Sequence, residues 1–359
     1  MFTSIVAAII VLGFLILFHE MGHFLVAKRV GVGVLKFSIG FGPKLFGRRF
    51  GETEYVVSAI PLGGFVKMVG EDPDEEVSEV DRPRSFNNKA LWKRTAIVLA
   101  GPVANLLLAF IAFTAAFVFY GAQVPGEAAR VGGLIKGMPA EAAGLKPDDV
   151  IVAVNGEPID NWEKLSEMIS GSGGKSLALT VERDGQRFDL TVTPEAKEDK
   201  NIFNEVQGTA FRIGIERGFI TQEVSVFEAV QMGASQTVWW VRTLTLSVWK
   251  LIRGSIPADQ IGGPILIVQA AGEHAQKGLE DLLHFMAMIS VNLAVLNLLP
   301  IPILDGGHLF FFLIEGVLRR PLAIRQREIA QQVGLVLLVG LMAFALYNDI
   351  ARNVQSWWG

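Results

Sequence analysis

The feature that most constrains this chain is that its apolar residues come in blocks. Phe2 to Phe18 is seventeen residues without a charge, and a helix begun there can continue to about Val30. Ala96 to Tyr120 holds no charge in twenty-five residues. Leu282 to Leu304 is interrupted only by His284, Ser290 and two asparagines, and a fourth block spans Ile329 to Leu346. Each approaches the length of about twenty residues that the hydrocarbon core of a bilayer demands of a helix. Composition agrees: 51% of the chain is hydrophobic and 19% charged, where a soluble domain carries about 25% charge. The first block has neither a basic leader nor a small-residue cleavage site, so it reads as a span and not as a removable signal peptide. A net charge of −4 argues against the basic face of a nucleic-acid binder. The absence of cysteine removes thiol nucleophiles, disulfides and thiolate metal sites together.

Lysine and arginine near span ends set orientation. Lys28, Arg29, Lys36 and Lys44 follow the first span, Lys89, Lys93 and Arg94 precede the second, and Arg319, Arg320, Arg325 and Arg327 lie between the third and fourth. The reading is therefore cytoplasmic loops at 28–94 and 306–328, an extracytoplasmic segment at 121–281, and both termini outside. Residues 224–252 are apolar enough to raise a fifth span. However, Gln231, Gln236 and Arg242 interrupt them, and Trp239, Trp240 and Trp249 suit a membrane interface. An amphipathic helix lying on the membrane is expected there.

The first chemical signal is His19-Glu20-Met21-Gly22-His23. Residues four apart share one helical face, so both imidazoles can reach one ion. The glutamate between them can take a proton from the attacking water. Ionisable groups inside a span are costly and by default mark function. Zinc requires a third protein ligand and an open fourth position; without cysteine that ligand is His, Asp or Glu. His19 and His23 lie about 25 Å from the outer end of their span at 1.5 Å per residue, in the cytoplasmic half. Asp305 reaches the same depth if the third span runs inward, which four spans require. His308 is the rival ligand, while His274 and His284 fall at the wrong end. Around Asp305 the sequence is Asn297-Leu-Leu-Pro300-Ile-Pro302-Ile-Leu-Asp305-Gly306-Gly307. Two prolines there break the helix, and the glycines let the chain turn at once. Broken helices at membrane depth belong beside a water-filled cavity. Asn297, on the same broken segment, offers an amide that donates and accepts, for substrate or for a neighbouring helix. Asn292 reads as a helix–helix contact.

These motifs resemble the site-2 protease family of intramembrane zinc metalloproteases, and within it the bacterial regulator-of-sigma-E-protease branch. The likeness extends to Ser38-Ile-Gly-Phe-Gly-Pro43, Ile60-Pro-Leu-Gly-Gly-Phe-Val-Lys67, Gly101-Pro-Val-Ala-Asn105 and Ile261-Gly-Gly-Pro264. The resemblance implies zinc (Zn2+) held by His19, His23 and Asp305, with Glu20 as general base and Asn297 holding the substrate backbone. It implies endoproteolysis within or near the membrane segment of pre-trimmed single-pass proteins, anti-sigma factors or signal-peptide remnants, in a bacterial inner membrane. Two other readings are another membrane zinc protease with a glutamate as third ligand, and a non-catalytic scaffold, which would not need Glu20.

Residues 125–195 resemble a PDZ domain of the bacterial protease type, where the best-known members of the branch carry two. Ile151–Val154 is a strand run closed by the turn pair Asn155-Gly156, Leu165–Ile169 fits a helix, and Leu177–Val181 and Phe188–Val192 alternate like strands. Such a domain takes an extended peptide beside a strand or excludes bulky ectodomains. Alternation around Glu54–Ser58 and Gly63–Val69 suggests short strands beside the membrane, whose free edge can hold a substrate extended; the family resemblance implies the same hairpin. Gly101 and Asn105 read as helix packing. Glu71-Asp-Pro-Asp-Glu-Glu76 reads as a solvated linker, and Phe310–Ile314 and Trp357-Trp358 as lipid or interface contacts.

The fold expected is thus an α-helical polytopic membrane protein with an inserted extracytoplasmic PDZ domain and a membrane-associated β-hairpin. Its parts are span one at 1–30, a cytoplasmic loop with strands at 31–94, span two at 95–121, the PDZ domain at 122–200 and a connector with the interfacial helix at 201–281. Span three follows at 282–305, then a cytoplasmic loop at 306–328, span four at 329–351 and a tail at 352–359. The zinc site falls between spans one and three.

Overall fold

A computed structural model of the chain describes residues 2–72, 77–203 and 205–358. Contacts divide it into two units, Met1–Phe117 with Val226–Gly359, and Val118–Ser225.

The chain opens with helix α1 (Phe2–Arg29), then strands β1 (Val34–Phe50) and β2 (Thr53–Met68), then helix α2 (Leu91–Tyr120). The strands are long and bent, so the residues of one meet the other twice. Ser38 lies opposite both Phe65 and Val56. Residues 36–39 are thereby covered on both sides, and Gly63–Met68 forms a border of the sheet. The rings of Phe24, Phe37 and Tyr55 pack together where sheet meets α1. At the far end Leu45, Phe46 and Phe50 are exposed.

The inserted unit holds β3 (Ala122–Pro125), β4 (Val131–Leu134), α3 (Pro139–Ala142), β5 (Val150–Val154), β6 (Glu157–Pro158), α4 (Trp162–Gly171), β7 (Leu177–Arg183), β8 (Gln186–Val192), β9 (Glu195–Lys200), β10 (Val206–Arg212), β11 (Ile215–Arg217) and β12 (Phe219–Gln222). The central sheet runs β6-β5-β7-β8, with pairs β3–β12, β4–β11 and β9–β10 around it. The turn after β5 has positive φ at Asn155 and Gly156, as the asparagine–glycine pair predicts. Asn161 caps α4, its side-chain oxygen accepting from the Lys164 amide at 2.8 Å. Val131, Ile151, Val154, Leu165, Leu179, Val181 and Ile213 form its core. Asp149 is buried in a bidentate pair with Arg183, at 2.6 and 2.7 Å, and accepts the Lys146 amide. The expected boundary at residue 200 is too short. Residues 206–222 pair back onto β9, β4 and β3 and belong to this unit.

The first unit resumes with α5 (Val226–Ile252), α6 (Pro264–Lys277), α7 (Leu279–Asn297), α8 (Asp305–Leu318) and α9 (Ile324–Trp358). Among the described residues four helices, α1, α2, α7 and α9, are long and apolar enough to cross a membrane. The α5 segment is not among them, although it does not stand free. Trp240, Val241 and Leu244 pack on Ala109, Phe113 and Val291 of α2 and α7. Asp349 of α9 caps α6, accepting the amides of Gly263, Ile265 and Leu266, so Ile261-Gly-Gly-Pro264 is held by a buried carboxylate at a helix N-terminus.

Two expectations fail in the last third. The stretch 306–328 is not a loop: it begins with α8, whose mean apolar character its Phe310–Ile314 run supplies. Span three, expected at 282–305, is accordingly helical only as far as Asn297, where α7 ends, and a separate helix, α8, starts at Asp305. A Cβ on Gly306 would stand 2.2 Å from the Leu299 carbonyl oxygen, so this glycine serves close packing inside α8's first turn and not a chain reversal. Phe310 is 48% exposed, as expected of a lipid contact, but Phe312 is 5% exposed and packs against Phe86. Residues 73–76 of the acidic stretch and the side chains of Trp357 and Trp358 lie outside the described residues.

Candidate metal centre

His19, Glu20 and His23 are buried residues of α1, and the two imidazoles face α2. His23 Nδ1 donates to the Ile97 carbonyl at 2.8 Å. A carbonyl can only accept, so the proton sits on Nδ1 and Nε2 carries the free lone pair. The two Nε2 atoms are 3.3 Å apart. Asp305, the first residue of α8, brings Oδ2 to 3.3 Å from His19 Nε2 and 3.6 Å from His23 Nε2. Tetrahedral zinc with bonds of about 2.0–2.1 Å keeps its ligands about 3.3–3.4 Å apart. The triangle of two nitrogens and one carboxylate oxygen therefore fits such an ion. The Asp305 Oδ2 atom is buried and has no hydrogen-bond partner among the described residues, the condition a cation would relieve. Within the described residues this is the one cluster of three His, Asp or Glu donors close enough to hold a metal.

The break between α7 and α8 sets Asp305. Pro300 and Pro302 cannot continue a helix, and Leu304 is extended, with φ −95° and ψ 166°. Helix α8 thus starts afresh with Asp305 in its first turn. Further along, Glu315 binds Arg94 of α2 through both guanidinium ends, with Arg327 of α9 at 3.5 Å. This buried ion pair fixes the axis of α8.

The donor triangle opens onto a cavity of about 770 Å³ lined by Glu20, Asn297, Asp305, His308, Glu71 and the border residues Gly63–Val66 of the sheet, among others. Asn297 Nδ2 is 3.4 Å from His19 Nε2. A Cβ on Gly64 would meet Glu20 Cγ at 2.8 Å, so a glycine is required where the sheet border passes the glutamate. Glu71 accepts the Met68 amide at 3.0 Å, and burial pushes its carboxyl up to about 7.

His19, Glu20, His23, Asp305 and Asn297 are thus brought to one place. His308 lines the cavity but stands outside the triangle. His284 lies against Phe113 and Phe117, and His274 stacks on Phe285. Reading the sequence missed the part played by α2. Gly101 and Asn105, expected as packing residues, touch the imidazoles: a Cβ on Gly101 would stand 2.2 Å from His23 Nε2, and Asn105 Nδ2 is 3.1 Å from His19 Nδ1. The available signal was an asparagine in the middle of an uncharged span, which is expensive unless it has a task.

Residues 7–341 match the family described as Peptidase family M50. The chain belongs to peptidase family M50. This M50 peptidase is 33% identical over 423 residues to the zinc metalloprotease RasP of Geobacillus kaustophilus, covering 97% of the chain and 98% of that relative. It is 36% identical over 369 residues to the Atu1380 protein of Agrobacterium fabrum, also named for zinc metalloprotease activity, covering 98% and 96%. Among solved structures, the PDZ domain of the SdrC-like protein Lmo2051 of Listeria monocytogenes aligns at 16% identity with a TM-score of 0.21, covering 27% of this chain and 93% of that one. This member of the site-2 protease family is a zinc-dependent metalloendopeptidase with four candidate membrane helices.

Proposed function

We propose that this M50 peptidase cuts single-pass membrane proteins, already trimmed on the outer side, within or near their membrane segment. In this reading His19, His23 and Asp305 hold the zinc, and Glu20 is the general base. Bound there, zinc supplies Lewis acidity to the scissile carbonyl and a lowered pKa to the attacking water. Glu20 takes the proton from that water and delivers it to the leaving amine. Asn297 hydrogen-bonds the substrate backbone at the mouth of the donor triangle. A helical substrate hides its peptide bonds, so it must be extended first. The sheet border Gly63–Met68, running past Glu20, can add the substrate as a further strand. The cavity gives water access inside the apolar surroundings.

The observation that carries the reading is the donor triangle with Glu20 beside it, both histidines and the glutamate standing on a helix apolar enough for a bilayer. Charge around the spans supports an active site in the cytoplasmic half, with residues 118–225 as an extracytoplasmic PDZ domain that limits access by long ectodomains, in a bacterial inner membrane. Anti-sigma factors and signal-peptide remnants have the required form. The Asp305 position favours this over a protease with a glutamate as third ligand.

The test is cleavage of a co-expressed single-pass reporter lacking its ectodomain, by the natural chain and by Glu20→Gln. Loss of a general base costs about 10²–10⁴ in rate, so the variant should leave the reporter intact while keeping its zinc. Equal cutting by both would remove Glu20 from the mechanism.

A further inference from the structure

One face of α2 serves both imidazoles. Ile97, Gly101 and Asn105 are spaced by four and line one side of the helix. Ile97 provides the carbonyl that accepts from His23, and Gly101 provides the space in which the rings sit. Asn105 is fully buried, and its backbone carbonyl accepts the Ser290 hydroxyl at 2.8 Å, which ties this turn of α2 to α7. Its amide lies against His19 Nδ1 at 3.1 Å through Nδ2, while its Oδ1 is buried with no partner among the described residues.

The two amide orientations have opposite consequences. With Nδ2 toward the ring, the amide donates to Nδ1 and the His19 proton must sit on Nε2. That proton would point into the donor triangle, from a nitrogen 3.3 Å from both His23 Nε2 and Asp305 Oδ2, and would block ligation. Half a turn about Cβ–Cγ exchanges oxygen and nitrogen at almost the same positions. Oδ1 then accepts from Nδ1–H, Nδ2 takes the partnerless position, and the Nε2 lone pair faces the triangle, as zinc ligation by His19 requires.

Resting on the zinc ligation proposed above, we infer that Asn105 is the positioning residue for His19: its side-chain carbonyl accepts the Nδ1 proton and so holds the imidazole with Nε2 free for the metal. The arrangement mirrors Ile97 and His23, with a side chain in place of a backbone carbonyl. Partners of this kind, behind a metal-binding histidine, fix both tautomer and ring orientation.

The experiment is zinc affinity by competition with a chromogenic chelator, on the purified full chain and its Asn105→Asp, Asn105→Leu and His19→Ala variants. The thermal midpoint of each zinc-stripped protein is read alongside. Asn105→Asp keeps an acceptor, has no donor and should bind close to the natural affinity. Asn105→Leu should bind about 10–100-fold more weakly with its zinc-stripped midpoint retained. If Asn105→Leu binds like the natural chain, the inference is overturned. If Asn105→Asp loses as much as Asn105→Leu, the amide donates and the inference is also overturned. Asn105→Asp, nearly identical in volume, decides by itself if the leucine variant does not fold. Equal binding by the natural chain and His19→Ala would instead overturn the ligand assignment on which this rests, and would be told apart by that variant alone.

Discussion

A methyl group at Gly101 has nowhere to go but into the space of His23. Gly101→Ala is therefore expected to lower zinc affinity by at least about tenfold while leaving helix content unchanged; chelator competition and circular dichroism together check this. An affinity equal to that of the natural chain would mean that α2 moves aside. Glu71 offers a test in pH. Its carboxyl titrates near 4.5 when unfolded and is pushed up to about 7 by burial in the fold. Between those values the folded chain holds the extra proton, so this contribution to stability is complete below the lower value and is lost as pH rises through the upper. Glu71→Gln should flatten the thermal midpoint against pH across that window. A profile parallel to that of the natural chain would place the titration elsewhere. The histidine pair and its glutamate were legible at this scale because their spacing is itself the chemistry. Asn105 was not, since an asparagine in a span equally fits a plain helix contact, and only the neighbour it meets distinguishes the two.

Among elements, α8 depends on the buried pair Arg94–Glu315, whose side chains are 8% and 14% exposed. Removing one partner of such a pair costs about 3–5 kcal/mol, whereas replacing both by apolar residues can be nearly neutral. Arg94→Met should thus destabilise more than Arg94→Met combined with Glu315→Leu. Denaturation in detergent measures both, and equal losses would mean the charges do not interact. The four apolar blocks were readable as helices because length and lack of charge suffice for that conclusion. The start of a new helix at Asp305 was hidden, since its phenylalanine-rich sequence continues the apolar character past the prolines. The non-helical residues 298–304, ending in the extended Leu304, separate the two. The long sheet was foreshadowed by alternation, but its double pairing was not: register depends on how a bent strand meets itself, and glycines at 40, 42, 47, 63 and 64 leave several registers open.

For the whole molecule, removing residues 123–221 and joining the flanks tests the gating assigned to the inserted unit. The shortened chain is expected to keep cutting a reporter without an ectodomain and to begin cutting one that retains it. Continued refusal of the longer reporter would assign the selection to the helical unit. The existence of an inserted domain was evident from its strand and turn pattern, yet its end was placed about twenty residues early. Strands β10 to β12 are short and follow a charged segment, Glu195–Lys200, so nothing local marks them as belonging to the inserted unit. Their pairing does: β12 runs beside β3 from Gln222 opposite Ala122 to Phe219 opposite Pro125. Entry and exit therefore share a single two-stranded stem, and the entropy of closing the intervening chain is met within that stem and rises only slowly with its length. The stem works as a socket. A different module could be mounted on the same two strands while the helices that carry the histidines and the aspartate keep their own sequence, so this architecture lets the inserted unit be exchanged while the donor triangle is left alone.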